Sequence, residues 1–132
     1  MKETEKTCVA VCGLHMKGYP LNVQLTSLGA EYIETTKSAP CYKLYALSTT
    51  PEKPGMVKVS EGGCSIEVEV WSLTYEALGK FLNMIPSPLG LGQILLINNT
   101  SVTGFICEPY AIEGAIDISS FGGYRYYLES KN

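Results

Sequence analysis

Four residue types with distinctive chemistry occur once each in this chain: His15, Asp117, Arg125 and Trp71. His15 stands in Cys12-Gly13-Leu14-His15-Met16-Lys17-Gly18-Tyr19-Pro20-Leu21-Asn22, directly after an apolar run. An imidazole with an ordinary pKa of about 6.5 can give or take a proton near neutrality. Flanking glycines admit positive φ and let backbone N–H groups converge on an anion. Pro20 suits the first turn of a helix, where free N–H groups also favour anions. The stretch therefore has two readings. It is either a loop that presents amides and an imidazole to a small anion, or a turn in which a histidine packs against the core.

Arg125 also has two readings. Its planar fork suits a ligand carboxylate, or it pairs with Asp117 and pins the tail around Phe121-Gly122-Gly123. Glu67 and Glu69 share a strand face about 7 Å apart, and a solvated face explains them more simply than a carboxylate dyad. No Gly-x-Ser-x-Gly occurs, and Cys12, the cysteine nearest His15, occupies a strand position that favours burial, so nucleophilic catalysis lacks support. Five cysteines without a Cys-x-x-Cys pair, beside one histidine, do not make a zinc site. They read as small buried apolar residues, and no metal or cofactor is expected.

The elements that must position these residues are mostly strands. Thr7–Cys12, Tyr32–Thr36, Cys41–Leu47 and Ser65–Trp71 have the β-branched, aromatic or alternating character of strands. In the last, Ile66, Val68 and Val70 take one face, and Glu67, Glu69 and Trp71 the other. Met56–Val59 is a further short strand, and Gln93–Ile97 with Val102–Cys107 forms a hairpin across Asn98-Asn99-Thr100. Leu21–Leu28 is expected to be a short helix ending at Gly29. Thr74 caps a second helix to Ile85, with Ala77, Leu78, Phe81, Leu82 and Ile85 as its apolar stripe. Thr49–Gly55 and Pro86–Gly92, rich in proline and glycine, are expected to be loops. Gly122-Gly123 breaks the chain before Tyr124–Leu128.

The length of 132 residues suits one domain spanning 1–132 with a self-sufficient core. A net charge of −3 with scattered basic residues argues against a nucleic-acid surface. No apolar run reaches the ~18 residues of a membrane helix. The charged opening MKETEKT lacks the apolar stretch of a signal peptide, so a cytoplasmic protein is expected. Homo-oligomerisation stays open. The expected fold is α+β: a small mixed or antiparallel β-barrel with two or three short helices.

The segment GLHMKGYPLNVQLTSLGA resembles the opening of the C-terminal domain of allophanate hydrolases, whose pattern runs approximately Gly-Ala-His-Leu-x-Gly-x-Pro-Leu-Asn-x-x-Leu. The likeness continues in order through APCYKLYALSTTPEKPGMVKV, GGCSIEVEVWSL, IPSPLGLGQILL and VTGFICEPYAIEGAIDISSFGGYRYYL. It implies a gamma-glutamyl cyclotransferase-like fold, with the substrate-cradling loop of that fold at Cys12-Gly13-Leu14-His15. It implies substrate-binding positions at Gly13, Leu14, Asn22, Tyr45, Pro88, Leu89, Gly90 and Arg125, with His15 as the catalytic proton donor. The implied reaction is decarboxylation of an N-carboxycarbamate-like compound in nitrogen metabolism.

Leu14 and Tyr124 replace the alanine and tryptophan of the family pattern. No acidic residue lies between Glu76 and Glu108, where cyclotransferases carry their glutamate base. The amidase signature is absent as well, so the chain is expected to act as a stand-alone domain beside a separate amidase. The alternatives are a non-catalytic module that binds small carboxylates or an amidase, and a cyclotransferase-like enzyme with a relocated base.

Overall fold

The computed structural model describes residues 5–131. It contains strands β1 (Lys6–Val11), β2 (Glu31–Lys37), β3 (Tyr42–Leu47), β4 (Lys53–Lys58), β5 (Glu67–Thr74), β6 (Leu89–Leu95), β7 (Ser101–Cys107) and β8 (Ile116–Asp117). Its helices are α1 (Val23–Thr26), α2 (Tyr75–Asn83) and α3 (Tyr124–Ser130). The strands form a five-stranded sheet, ordered β2-β5-β1-β7-β6, and a three-stranded sheet, ordered β4-β3-β8. The edge strands of the larger sheet approach one another just past their ends, through a bridge between Ser38 and Leu96. Ala39 N–H donates to Leu95 and Ile97 N–H to Lys37 at this junction. The larger sheet thus curls until its margins touch at one end, without a closed ladder among the described residues.

β1 lies at the centre, antiparallel to β5 and parallel to β7. With neighbours on both sides and both faces covered, its Val9, Ala10 and Val11 are all buried, as a continuous apolar run requires. β5 is covered on both faces too: Val68, Glu69, Val70, Trp71 and Leu73 are all buried. This corrects the expected solvated carboxylate face, because the residue 13–19 loop and α3 lie over Glu69. Packing, which alternation cannot report, decided that point.

Thr74 caps α2 as expected, its Oγ1 accepting from Ala77 N–H at 3.0 Å. The helix stops at Asn83, two residues short of the expected end, and Pro86 follows. Ala77 and Phe81 are buried, whereas Leu82 lies outside the stripe on the exposed side. The expected helix from Leu21 to Leu28 contracts to a 3₁₀ turn at Pro20–Asn22 and the single turn of α1, closed by Gly29 at φ +79°.

Both expected proline- and glycine-rich loops contain strand. Leu89–Gly92 begins β6, in register with Cys107–Gly104 of β7. Its glycines hid the alternation, and at Gly92 a Cβ would stand 2.9 Å from Ile106 Cδ1. Lys53-Pro54-Gly55 begins β4 opposite Leu47–Tyr45. β4 is an edge strand, so the N–H that Pro54 lacks is not needed by a neighbour on the open side.

Candidate functional site: a pocket at the end of the first strand

Where β1 ends, the chain turns sharply through Gly13. A Cβ there would lie 2.5 Å from Pro54 Cγ, so glycine is what lets β4 close over the loop. Met16 N–H donates to Gly13 C=O at 3.0 Å, and Leu21 N–H to Leu14 C=O at 2.9 Å. Asn22 Nδ2 donates to His15 C=O at 2.8 Å, and Lys17 N–H to Glu69 Oε1 at 2.8 Å. Gly18 makes the return at φ +89°. The loop is therefore braced from both ends and from β5. The N–H groups of Gly13, Leu14 and His15 have no hydrogen-bond partner among the described residues.

These three residues line a small apolar pocket with Val11, Leu21, Lys53, Pro54, Leu89 and Phe105. The cavity measures about 10 Å³, room for roughly one water molecule. Lys53 makes no ion pair with the described residues, unlike Lys6, Lys43 and Lys131. The pocket wall is mainly apolar, and Lys53 brings to its lining a charged residue without an ion-pair partner among the described residues.

His15 is buried, with Phe81 and Phe105 at ring-centroid distances of 5.1 and 5.0 Å. Its Nε2 shares a hydrogen bond with Gln24 Oε1 at 2.7 Å. Among the described residues no fully buried side-chain nitrogen or oxygen lacks a partner. Nδ1 has no hydrogen-bond partner among the described residues, and His15 is one of the residues that line the pocket. Burial lowers the imidazole pKa from its ordinary value; the Gln24 bond opposes that shift, and the Lys53 charge adds to it. A pKa lowered from its ordinary value leaves the ring mainly neutral at pH 7. Cys12, beside it, has its thiol pushed up to about 12 by burial and then by Cys107. It is therefore protonated at neutral pH.

The structure brings Gly13, Leu14, His15 and Leu89 together and leaves the other named positions outside the pocket lining. Asn22 braces the loop through His15 C=O. Tyr45 lies in β3, opposite Gly55 and Asp117. Pro88 borders a separate surface hollow with Thr49 and Tyr110, and Gly90 pairs with Ile106. Arg125 departs furthest from expectation. Its guanidinium binds Glu69 Oε2 at 3.0 Å and approaches Glu67 Oε2 at 3.6 Å, over the Tyr19 ring. The expected Asp117–Arg125 pair does not form: Asp117 accepts from Ser119 N–H and pairs with Lys43 at 3.6 Å. Sequence distance misled here, because α3 packs on β5 while Asp117 belongs to the smaller sheet.

Glu69 is the acid sequence reasoning undervalued. Its Oε1 accepts from Lys17 N–H and from Trp71 Nε1, and its Oε2 from Arg125. With both oxygens so engaged and outside the pocket lining, it does not supply the missing cyclotransferase base. Lys53 was also missed. It sits in a segment that reads as a proline loop, and only the start of β4 there brings it to the pocket lining.

The fold is that of the gamma-glutamyl cyclotransferase-like proteins: a solved gamma-glutamyl cyclotransferase superposes with a TM-score of 0.58, at 10% identity, over 79% of this chain and 68% of that one. Within this fold the assignment is specific. The family model for the allophanate hydrolase C-terminal domain matches residues 7–129, and the chain belongs to that family. It is 41% identical to the urea amidolyase of Saccharomyces cerevisiae over 126 residues, covering 92% of this chain and 7% of the yeast protein. It superposes on Kluyveromyces lactis allophanate hydrolase with a TM-score of 0.93 at 40% identity, over 97% of this chain and 22% of that one. A uropathogenic E. coli-specific protein matches with a TM-score of 0.90 at 29% identity, over 96% of this chain and 98% of that one. The chain thus spans a small fraction of the urea amidolyases and nearly the whole of the E. coli chain. Among the described residues, no helix is long and apolar enough to cross a membrane.

Proposed function

We propose that the pocket binds a small carboxylated nitrogen compound of the N-carboxycarbamate type and assists its decarboxylation. The observation that carries this reading is that Gly13, Leu14, His15 and Lys53 line one pocket, the first three with backbone N–H groups that have no partner among the described residues. Amides and ammonium suit one carboxylate of the ligand. As the bond from nitrogen to the other carboxylate breaks, carbon dioxide leaves, the electron pair stays on nitrogen, and a proton must reach that nitrogen. The neutral His15 acquires this proton on binding, because a dianion beside it favours the imidazolium. The relatives named allophanate hydrolase and urea amidolyase support the substrate class, and a separate amidase is the partner that would supply it.

A ligand of this size exceeds a 10 Å³ cavity, so it enters as the partly buried side chains of Leu14, Leu21 and Leu89 turn aside. Adding the protein to an amidase that forms N-carboxycarbamate should accelerate carbon dioxide release, and His15→Ala should abolish the gain. An unchanged rate with intact protein rejects the catalytic reading. Lys53→Ala should weaken malonate binding about tenfold, on the order of 1.4 kcal/mol for one charged contact.

The second reading is binding without turnover, favoured by the narrow cavity and by the absence of a carboxylate or thiolate among its lining residues. It predicts saturable malonate binding with no change in carbon dioxide release.

A further inference from the structure

We propose that Gln24 is a positioning residue that sets the proton of His15, holding the ring as the Nε2–H tautomer so that an unprotonated Nδ1 is presented to the pocket. The carbonyl oxygen of Gln24 stands 2.7 Å from Nε2, and an oxygen in that position accepts only from a protonated nitrogen. Gln24 rides on α1, two residues beyond Asn22, whose side chain grips the His15 carbonyl. The imidazole and its partner are thereby carried by one braced loop.

Among the described residues, Gln24 is the one group hydrogen-bonded to the ring. Phe81 faces it from α2 and Phe105 from β7, neither with a polar atom. Lys53 on β4 is a charged donor, and Cys12 at the end of β1 is a protonated thiol. Lys53 is the single charged group set against the ring, and it disfavours the imidazolium. A glutamate at position 24 would do the opposite and favour the imidazolium. A glutamine keeps it neutral until an anion arrives, so a proton enters together with the ligand. The use of this device rests on the proposed anion pocket; the tautomer itself is a property of the unliganded protein.

His15 is the one histidine in the chain, so ¹⁵N–¹H correlation spectra of labelled histidine report it without ambiguity. The intact protein at pH 8 should show protonated Nε2 and unprotonated Nδ1 as a single species. Gln24→Leu should produce a mixture of tautomers, and Gln24→Glu should raise the titration midpoint by at least one pH unit. An Nδ1–H ring in the intact protein overturns the proposal without recourse to any variant. So does a tautomer and midpoint unchanged in both substitutions. Malonate calorimetry in buffers of different ionisation enthalpy should show proton uptake near pH 7 that falls in Gln24→Glu. Expected spectra without malonate binding would sustain the role of Gln24 and reject the pocket reading; malonate binding with a tautomer indifferent to Gln24 would reject the role of Gln24 alone.

Discussion

Arg125→Ala tests how the loop is held. Glu69 is 2% exposed, while the Arg125 side chain is 30% exposed and has Glu67 as a second partner. Removing the arginine leaves a buried carboxylate with only the Lys17 and Trp71 N–H groups. Breaking a buried ion pair from one side costs about 3–5 kcal/mol, and partial exposure of the arginine places the expectation near the lower end, about 3 kcal/mol. At this chain length that lowers Tm by about 12 °C, from roughly 4 °C per kcal/mol. Glu69→Gln should cost only about 1 kcal/mol. Gln retains an oxygen for Lys17 and Trp71, and Arg125 keeps Glu67, solvent and the Tyr19 ring. The double variant should resemble Glu69→Gln, since no uncompensated charge remains. Urea unfolding of all four proteins gives the coupling directly. An Arg125→Ala cost under 1 kcal/mol, or strictly additive single costs, refutes the account of Arg125 as the counter-charge that keeps the loop in place.

Gly13→Ala should destabilise by about 1–3 kcal/mol, because its Cβ must displace Pro54; a denaturation midpoint equal to wild type would show that β4 does not press on the loop. The depressed pKa of His15 has a defined sign. The unfolded chain takes up a proton near pH 6.5 that the folded protein refuses, so this contribution to stability is complete above that pH and is lost as pH falls below it. The slope is at most about 1.4 kcal/mol per pH unit, and unfolding between pH 7 and 5 should show it reduced in His15→Gln; identical slopes would contradict a buried neutral ring. Thr74→Ala should cost about 1 kcal/mol through loss of the cap on Ala77 N–H, measured by thermal unfolding followed in the far ultraviolet.

Elements with a strong local signal were legible before any tertiary information. β1 announces itself by its apolar run, β5 by β-branched residues, α2 by its cap and helical stripe, and the β6–β7 hairpin by its Asn-rich turn. The family likeness was legible as well, because several separated motifs keep their order and spacing. The starts of β4 and β6 were not, since Pro54, Gly90 and Gly92 carry loop preferences that edge placement and ladder pairing override. In the site, the glycine–histidine loop could be singled out, whereas Lys53, Phe105 and Gln24 could not. Each is ordinary in its own neighbourhood and gains meaning only by what faces it.

By itself the sequence determined the composition of the loop after β1: glycines on either side of one imidazole, and a proline to open the turn that follows. These follow from residue type and local geometry, which travel with the chain. The tertiary structure decided which long-range partners those residues meet. It set Arg125 on Glu69 instead of on Asp117, buried Glu69 beneath the loop, brought Lys53 to the pocket lining and buried His15 between two phenylalanines beside Gln24. Charge state and orientation depend on burial and on neighbours distant in sequence, so they are fixed only when the sheets close around the loop.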